Sequence, residues 1–260
     1  MDYGDLKERV KQAALSNGAD LVGFTKTSDL SEYKKNIERI LPGAQSLAVI
    51  ISAHGQSALR SANNQVAQFD TIHTYEACAK AAHMAVRFLE SQGYPSVAVP
   101  AFIPIDMEKP KYGMLGEICW RKAAVMAGLG SYGENGLLIT REYGAAVRVS
   151  GVVTTLNILP DDPLSEDVCI HCMACVDACP AGALSGNGII DKKRCGDEIF
   201  KFGYRYFRDF VKTVIQKSPE ENENLLEGSG LIEMWQTFMT GNYYYCFKCQ
   251  TQCPSNRKPS

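Results

Sequence analysis

The sequence predicts a mixed fold in two parts, an α/β layer domain followed by a smaller cysteine-rich domain. Two observations support this prediction. Helical spacing of apolar residues alternates with apolar strand patterns over the first 160 residues, which is typical of an α/β layer fold. Eight of the ten cysteines lie between residues 169 and 253. We therefore predict domains at residues 1–160 and 161–260, with a helical insert at about residues 196–245 of the second.

The first elements follow from apolar spacing and from one stop signal. Leu6, Val10 and Ala14 recur at helical intervals. The next helix ends before Pro42, because proline interrupts helical hydrogen bonding. The run S-L-A-V-I-I-S-A is continuously apolar, as in a strand buried on both faces. The predicted order is helix 4–17, strand 21–24, helix 29–40 and strand 46–53.

The later elements of the first domain are predicted in the same way. Ala82, Val86 and Leu89 share one face of a long helix. A further helix stops at Gly128, and a strand rich in Val and Thr precedes the cysteines. The predicted order is helix 70–92, strand 96–102, helix 117–127 and strand 147–156.

The cysteines form two spaced sets that predict metal clusters. C-I-H-C-M-A-C-V-D-A-C-P matches the bacterial ferredoxin pattern C-x2-C-x2-C-x3-C-P, whose fourth cysteine serves the other cluster of a two-cluster protein. C-F-K-C-Q-T-Q-C-P is the second set, and Cys195 lies between them. Zinc is the alternative, because C-x2-C pairs also bind zinc. Four cysteines within eleven residues favour two 4Fe–4S clusters.

Exchanging the last cysteine of each set between the clusters supplies eight ligands for eight positions. The first cluster takes Cys169, Cys172, Cys175 and Cys253. The second cluster takes Cys179, Cys195, Cys246 and Cys249. No motif surrounds Cys195, and the segment I-I-D-K-K-R-C before it is predicted to be a short strand and a turn.

Composition limits the partners and the location. The net charge is −2, with acidic and basic residues interspersed, so we expect no nucleic-acid partner. No signal sequence is apparent at the N-terminus, and no apolar run reaches about 18 residues. We therefore expect a soluble, cytoplasmic protein without a membrane partner.

A glycine-rich segment, A-G-L-G-S-Y-G-E-N-G-L-L-I-T, lies at residues 127–140, before the first cysteine run. Its glycines match G-x-G-x-x-G, but a helix precedes it and a strand follows, which reverses the order needed for nicotinamide binding. This segment, together with V-R-V-S-G-V-V-T-T-L and the first cysteine run, resembles the epoxyqueuosine reductases and their relatives, the reductive dehalogenases. The resemblance covers about residues 115–195 and resumes at residues 245–254.

The resemblance implies a corrinoid-binding-type α/β domain followed by a bacterial two-cluster ferredoxin-like domain. Reduced ferredoxin or flavodoxin would supply electrons to the clusters, which would reduce a bound cobalamin that acts on a small organic molecule. The pattern of cluster ligands in the family maps onto the eight cysteines assigned above. The implied cobalamin contacts are Gly128, Gly130, Gly133, Asn135, Gly136 and His73.

The proton donor is where the chain departs from these families. Epoxyqueuosine reductases carry an Asp shortly before the helix that leads into A-G-L-G, whereas residues 111–117 contain none and Asp106 lies further upstream. Reductive dehalogenases use a Tyr beside a basic residue, which Lys111 and Tyr112 would supply. The helical extension that helps hold tRNA in the first family does not follow Cys253 here. We therefore expect a small-molecule substrate rather than tRNA.

Two functions remain open from the sequence. In the first, the chain is a cobalamin-dependent iron–sulfur reductase. In the alternative, it is an electron-transfer protein that reduces a corrinoid or flavin on a partner protein. The retained A-G-L-G-x-x-G-x-N segment favours the first function, and the absent Asp favours the second.

Overall fold

The computed structural model describes residues 3–99, 116–241 and 244–256. Its first part is a mixed α/β fold built around one four-stranded sheet. The helices are α1 (Tyr3–Leu15), α2 (Lys34–Ile40), α3 (Gln56–Leu59), α4 (Asn64–Ser91) and α5 (Trp120–Met126). The strands are β1 (Leu21–Lys26), β2 (Ser46–Ala53), β3 (Ser96–Val99), β4 (Ser131–Tyr132), β5 (Leu138–Ile139) and β6 (Val147–Thr154).

The main sheet has the order β1-β2-β6-β3, and every neighbouring pair is antiparallel. Val49 of β2 lies opposite Gly151 of β6, at the centre of the sheet. Gly151 is required there because an added Cβ would overlap the indole ring of Trp120 and the carbonyl oxygen of Ala48. Helix α5 can therefore pack directly on the central strand.

Helices cover both faces of this sheet. Helices α1 and α4 bury Leu6, Val10 and Leu89 against one face. Helices α2 and α5 bury Ile37 and Trp120 against the other. The buried run of β2 follows from this arrangement, because each of its faces meets a helical layer.

Most predicted elements of this part are present, with shifted ends. Strand β2 has the predicted bounds. Helix α4 begins at Asn64, before the predicted start at residue 70, because the Asn63 side chain accepts a hydrogen bond from the Gln65 N–H and caps the helix. The predicted strand 96–102 is described as far as Val99, and its remainder lies outside the described residues.

The second part is mainly helical. Its helices are α6 (Ala174–Asp177), α7 (Lys192–Ile199), α8 (Tyr204–Gln216), α9 (Pro219–Leu226), α10 (Ser229–Thr240) and α11 (Lys248–Thr251). The polar run P-E-E-N-E-N at residues 219–224 predicts a solvated loop, but these residues lie in α9. Ser218 and Glu221 make a capping box there, and Pro219 occupies the first turn.

The segment before Cys195 also differs from the prediction. Ile190 makes an isolated bridge to Leu184, and α7 begins two residues later, capped by Asp191. Cys195 therefore lies on a helix rather than after a turn. No helix in the described part of the chain is long and apolar enough to cross a membrane.

Candidate functional site

The first predicted cysteine set converges around a small cavity. The four thiols that line it are those of Cys169, Cys172, Cys175 and Cys253. Between them the backbone turns sharply, because His171 and Met173 both adopt positive φ angles, +51° and +61°. Cys253 reaches this cavity from the end of α11, which contacts α6. The structure thus places Cys253, the last cysteine of the second run, beside the first three cysteines of the first run.

The second set converges beside α7. Cys249 lies close enough to Cys179, Cys195 and Cys246 for their charges to affect its pKa. Burial, together with these neighbouring thiols, raises the pKa of Cys249 to about 12 and that of Cys195 to about 11. A group of partly buried thiols that lie near one another suits a cationic metal cluster, which replaces their protons and compensates the thiolate charge.

The glycine-rich segment holds the two cysteine sets in place. Glu134 contacts the Nδ1 atom of His171 at 2.6 Å and accepts a hydrogen bond from the Asn187 N–H. These hydrogen bonds lower the pKa of Glu134, and the Glu134 contact raises that of His171. Asn135 is buried and lines both cavities, with its Nδ2 atom 3.5 Å from the Cys249 carbonyl oxygen.

A larger cavity of about 260 Å³ opens beside the second cysteine set. It is lined by Cys195, Cys246 and Cys249 from the helical part. From the α/β part it is lined by α5, by the glycine-rich segment and by β6. Trp120 closes one wall; its side chain is buried, and its Nε1 atom has no hydrogen-bond partner among the described residues.

Aromatic residues complete the wall of this cavity. Tyr75 of α4 and Tyr244 share a hydroxyl hydrogen bond of 3.3 Å, and the Phe200 ring lies 5.7 Å from that of Tyr244. The guanidinium of Arg148 stacks on both tyrosines, with Cζ 5.0 and 5.2 Å from the ring centroids. The cavity is therefore partly apolar, with one cation fixed by aromatic contacts.

Most of the predicted cobalamin contacts do not line the large cavity. Of these residues only Asn135 lines the large cavity. The glycines pack against the chain itself: Gly128 against the Asp162 carbonyl, Gly130 and Gly133 against Ile139, and Gly136 against Gly188. Their lack of a Cβ allows the segment to approach residues 162–163 and the segment at residues 188–190.

The remaining predicted site residues lie away from the described cavity. His73 projects to the surface of α4, where its Nδ1 atom lies 2.8 Å from Glu76. Asp106, Lys111 and Tyr112 lie outside the described residues. Their proposed role as proton donors therefore stays a prediction.

Sequence reasoning missed several cavity residues. Tyr75 is two residues from His73 but occupies the inward face of α4. Arg148 lies within the predicted strand V-R-V-S-G. A single basic residue in an otherwise apolar run was the one sequence feature that could have marked it as a site residue. Two further residues line the cavity: Cys119, which immediately precedes α5, and Tyr33, which ends the Thr27–Tyr33 turn. Only the tertiary structure brings these positions together.

Comparison with known proteins agrees with this arrangement. The model of the 4Fe-4S binding domain family matches residues 163–185. An epoxyqueuosine reductase of Bacillus cereus is 26% identical over 283 residues, covering 99% of this chain and 66% of that protein. This chain is homologous to epoxyqueuosine reductase. It spans about two thirds of the length of that relative.

Epoxyqueuosine reductase structures share the fold. One, solved with an epoxyqueuosine-modified tRNA-Tyr stem loop, has a TM-score of 0.61 and 22% identity, covering 98% of this chain and 66% of that one. Reductive dehalogenases are also similar. The tetrachloroethene enzyme of Dehalobacter restrictus is 31% identical over 54% of this chain and 24% of its own. A solved dehalogenase, described as B12-dependent, has a TM-score of 0.58 and 18% identity over 75% of this chain and 29% of its own.

These comparisons correct one expectation. The balanced charge predicted no nucleic-acid partner, and a small organic substrate was expected in place of tRNA. This was wrong, because epoxyqueuosine reductase has been solved with a tRNA stem loop. Net charge reports only the sum over the surface, whereas binding of RNA depends on where the cations lie.

Proposed function

We propose that this chain is an iron–sulfur reductase of the epoxyqueuosine reductase type, in which two 4Fe–4S clusters supply electrons to a cobalamin in the large cavity. The observation that carries the proposal is the position of the second cysteine set, three of whose thiols line that cavity. The first set lies around the other cavity, which opens near the exposed residues Ile170 and Met173.

This arrangement supports a direction for electron transfer. A cluster held by the first set would be distal and accessible to an external donor, for which we retain reduced ferredoxin or flavodoxin. A cluster held by Cys179, Cys195, Cys246 and Cys249 would be proximal to the large cavity. Asn135, which borders both cavities, keeps the backbone of Cys249 in position between them.

The described residues suit a corrinoid in three respects. The Nε1 donor of Trp120, which has no partner in the described part of the chain, is available for an acceptor on the corrin periphery. Leu137, Leu138 and Val149 offer apolar contact to a flat macrocycle. Phe200 and Tyr244 restrict water on the side of the second cysteine set. When bound, cobalamin would supply a cobalt centre that accepts single electrons and reacts in a strongly reduced state.

We propose a modified nucleoside of tRNA as the substrate class, on the strength of the homologous enzymes. The division into an α/β domain at 1–160 and a two-cluster domain at 161–260 is part of the same proposal. The residues that supply the proton are not assigned by the described part of the cavity, and Asp106, Lys111 and Tyr112 remain the sequence-based choices.

Anaerobic reconstitution with iron, sulfide and cobalamin tests the proposal. We expect about eight irons and about one cobalt per chain after gel filtration, and a Co(II) electron paramagnetic resonance signal that diminishes when a ferredoxin or flavodoxin system reduces the protein. An epoxyqueuosine-containing tRNA stem loop should then be converted to queuosine.

The outcomes separate the parts of the proposal. Eight irons with no retained cobalt would reject the cobalamin site and leave the chain as an electron carrier for a partner. Retained cobalt without conversion of the stem loop would reject the tRNA nucleoside as substrate. Omission of cobalamin, with all other components present, is the matched control.

A further inference from the structure

The large cavity has an excess of positive charge. Arg121, Arg148 and Lys192 line it, and no carboxylate does so among the residues that the structure describes. Arg121 is already engaged, since it donates to the Gly136 carbonyl oxygen at 2.5 Å and its charge favours the thiolate of Cys195. It therefore belongs to the surroundings of the cysteine set. Arg148 needs a separate explanation.

Two of the three guanidinium nitrogens of Arg148 lack an acceptor among the described residues. Its guanidinium stacks on the rings of Tyr75 and Tyr244, which fix its plane. Its Nε and Nη2 atoms are buried and have no hydrogen-bond partner among the described residues. Leaving buried N–H groups of a cation unpaired is unfavourable unless a ligand completes their hydrogen bonds.

Asp70 is the carboxylate whose pKa the charge of Arg148 affects, and it already has other hydrogen-bond partners. Asp70 accepts hydrogen bonds from the Gly55 N–H and from Nδ1 of His54. Burial raises the pKa of Asp70, but these hydrogen bonds and the charges of His54 and Arg148 leave it lowered. No ion pair within 4.0 Å joins Asp70 to Arg148 in the described structure. The guanidinium is therefore oriented but not neutralised by direct contact.

We propose that Arg148 anchors an oxyanion-binding subsite in the wall of the large cavity, which takes a phosphate group of the molecule bound there. An arginine fork matches two oxygens of a phosphate, and prior stacking on Tyr75 and Tyr244 lowers the entropy lost on binding. The subsite deepens the proposed function, because the phosphate belongs either to the nucleotide loop of the cofactor or to the backbone of an RNA substrate.

Binding of inorganic phosphate to the cluster-loaded protein tests the subsite without cobalamin. Calorimetric titration should show binding to the wild type that weakens at least tenfold in Arg148→Met. Arg148→Lys should be intermediate, since lysine keeps the charge but not the fork. Arg87→Gln, on the exposed face of α4, is the matched control and should bind as the wild type does. Unchanged cluster absorbance and urea midpoint establish that each variant is folded.

The source of the phosphate is distinguished by two further probes. Cobinamide is a corrinoid that lacks the phosphate-bearing nucleotide loop. If the cofactor supplies the phosphate, the wild type should prefer cobalamin to cobinamide about tenfold, and Arg148→Met should lose that preference. If the substrate supplies it, the two corrinoids should bind alike, and Arg148→Met should instead weaken binding of a tRNA stem loop about tenfold.

The proposal is overturned if the wild type binds no phosphate, or if Arg148→Met binds it as tightly as the wild type does. Either result is independent of whether the wild type retains cobalt. Failure of the subsite and failure of the cobalamin proposal are therefore separate observations.

Discussion

Nδ1 of His54 lies 2.6 Å from Oδ2 of Asp70, and the imidazole is fully enclosed while the carboxylate remains partly exposed. Burial, with a contribution from Arg148, lowers the pKa of His54 from 6.5 to about 4, against the opposing effect of Asp70. The imidazole is therefore neutral at pH 7 and donates from Nδ1 to the carboxylate. The pair joins β2 to α4 beside the wall of the large cavity.

This pair makes the stability of the fold depend on pH. As the pH falls from about 6.5 towards 4, the unfolded chain takes up a proton on His54 that the folded chain resists, so the free energy of unfolding should fall. The loss should approach about 3 kcal/mol, at 1.36 kcal/mol per pKa unit. Anaerobic urea titrations of the cluster-loaded protein between pH 7.5 and 5 would measure the first part of this loss, about 2 kcal/mol.

His54→Gln removes the titrating group and should flatten that dependence. His83→Gln, at an exposed position of α4, should behave as the wild type does. If the free energy of unfolding of His54→Gln and the wild type changed in parallel with pH, the buried neutral imidazole would not be the cause.

The exchange of Cys253 and Cys179 between the two sets gives a second prediction, which concerns iron content. Alanine substitutions of two ligands of the same cluster should together lose no more iron than either one alone. Cys253→Ala and Cys169→Ala should each lower the iron content from about eight to about four. The double variant should lose no more, since both residues serve one cluster. Combining Cys253→Ala with Cys246→Ala should remove both clusters, although these two cysteines are neighbours in sequence. Iron and sulfide analysis measures this.

Cys119→Ala is the control for these substitutions, because Cys119 belongs to neither cysteine set although it lines the large cavity. Its iron content should equal that of the wild type. Were the Cys253/Cys246 double variant to keep four irons, the two residues would share a cluster and the exchange would be absent.

Strong local patterns were enough to predict much of the fold. The bounds of β2 followed from a single apolar run that is buried on both faces. The cysteine spacing predicted two groups of four thiols. The four thiols of the first group line the small cavity, and three of the second group line the large one. Sheet direction did not follow, because an apolar run buried on both faces is compatible with parallel and antiparallel pairing alike.

The cavity wall was not predictable in the same way. Tyr75, Arg148 and Tyr244 come from α4, from β6 and from the segment before Cys246, so they are distant in sequence and carry no shared motif. The family resemblance implied the glycines as cofactor contacts, but close approach by a ligand and close approach by the chain itself require the same residue. Only the packing shows that Gly128 faces Asp162.

Gly128 therefore provides the third prediction. It has a φ of +68°, and an added Cβ would overlap the carbonyl oxygen of Asp162 in the linker between the two parts of the chain. Gly43 has a similar φ of +75° but nothing within 4 Å of the corresponding position. Gly43→Ala should cost only the left-handed backbone, about 1 kcal/mol. Gly128→Ala should cost about 2 kcal/mol more, because the linker must also move.

Urea titration of the two variants beside the wild type measures this difference, and limited proteolysis near residue 162 reports on the linker directly. We expect faster cleavage there in Gly128→Ala and wild-type cleavage in Gly43→Ala. Equal losses of stability in the two variants, with equal cleavage, would mean that the linker yields freely. Gly128 would then be required for its φ alone, and the contact between the glycine-rich segment and the linker would not help to position the cysteine sets.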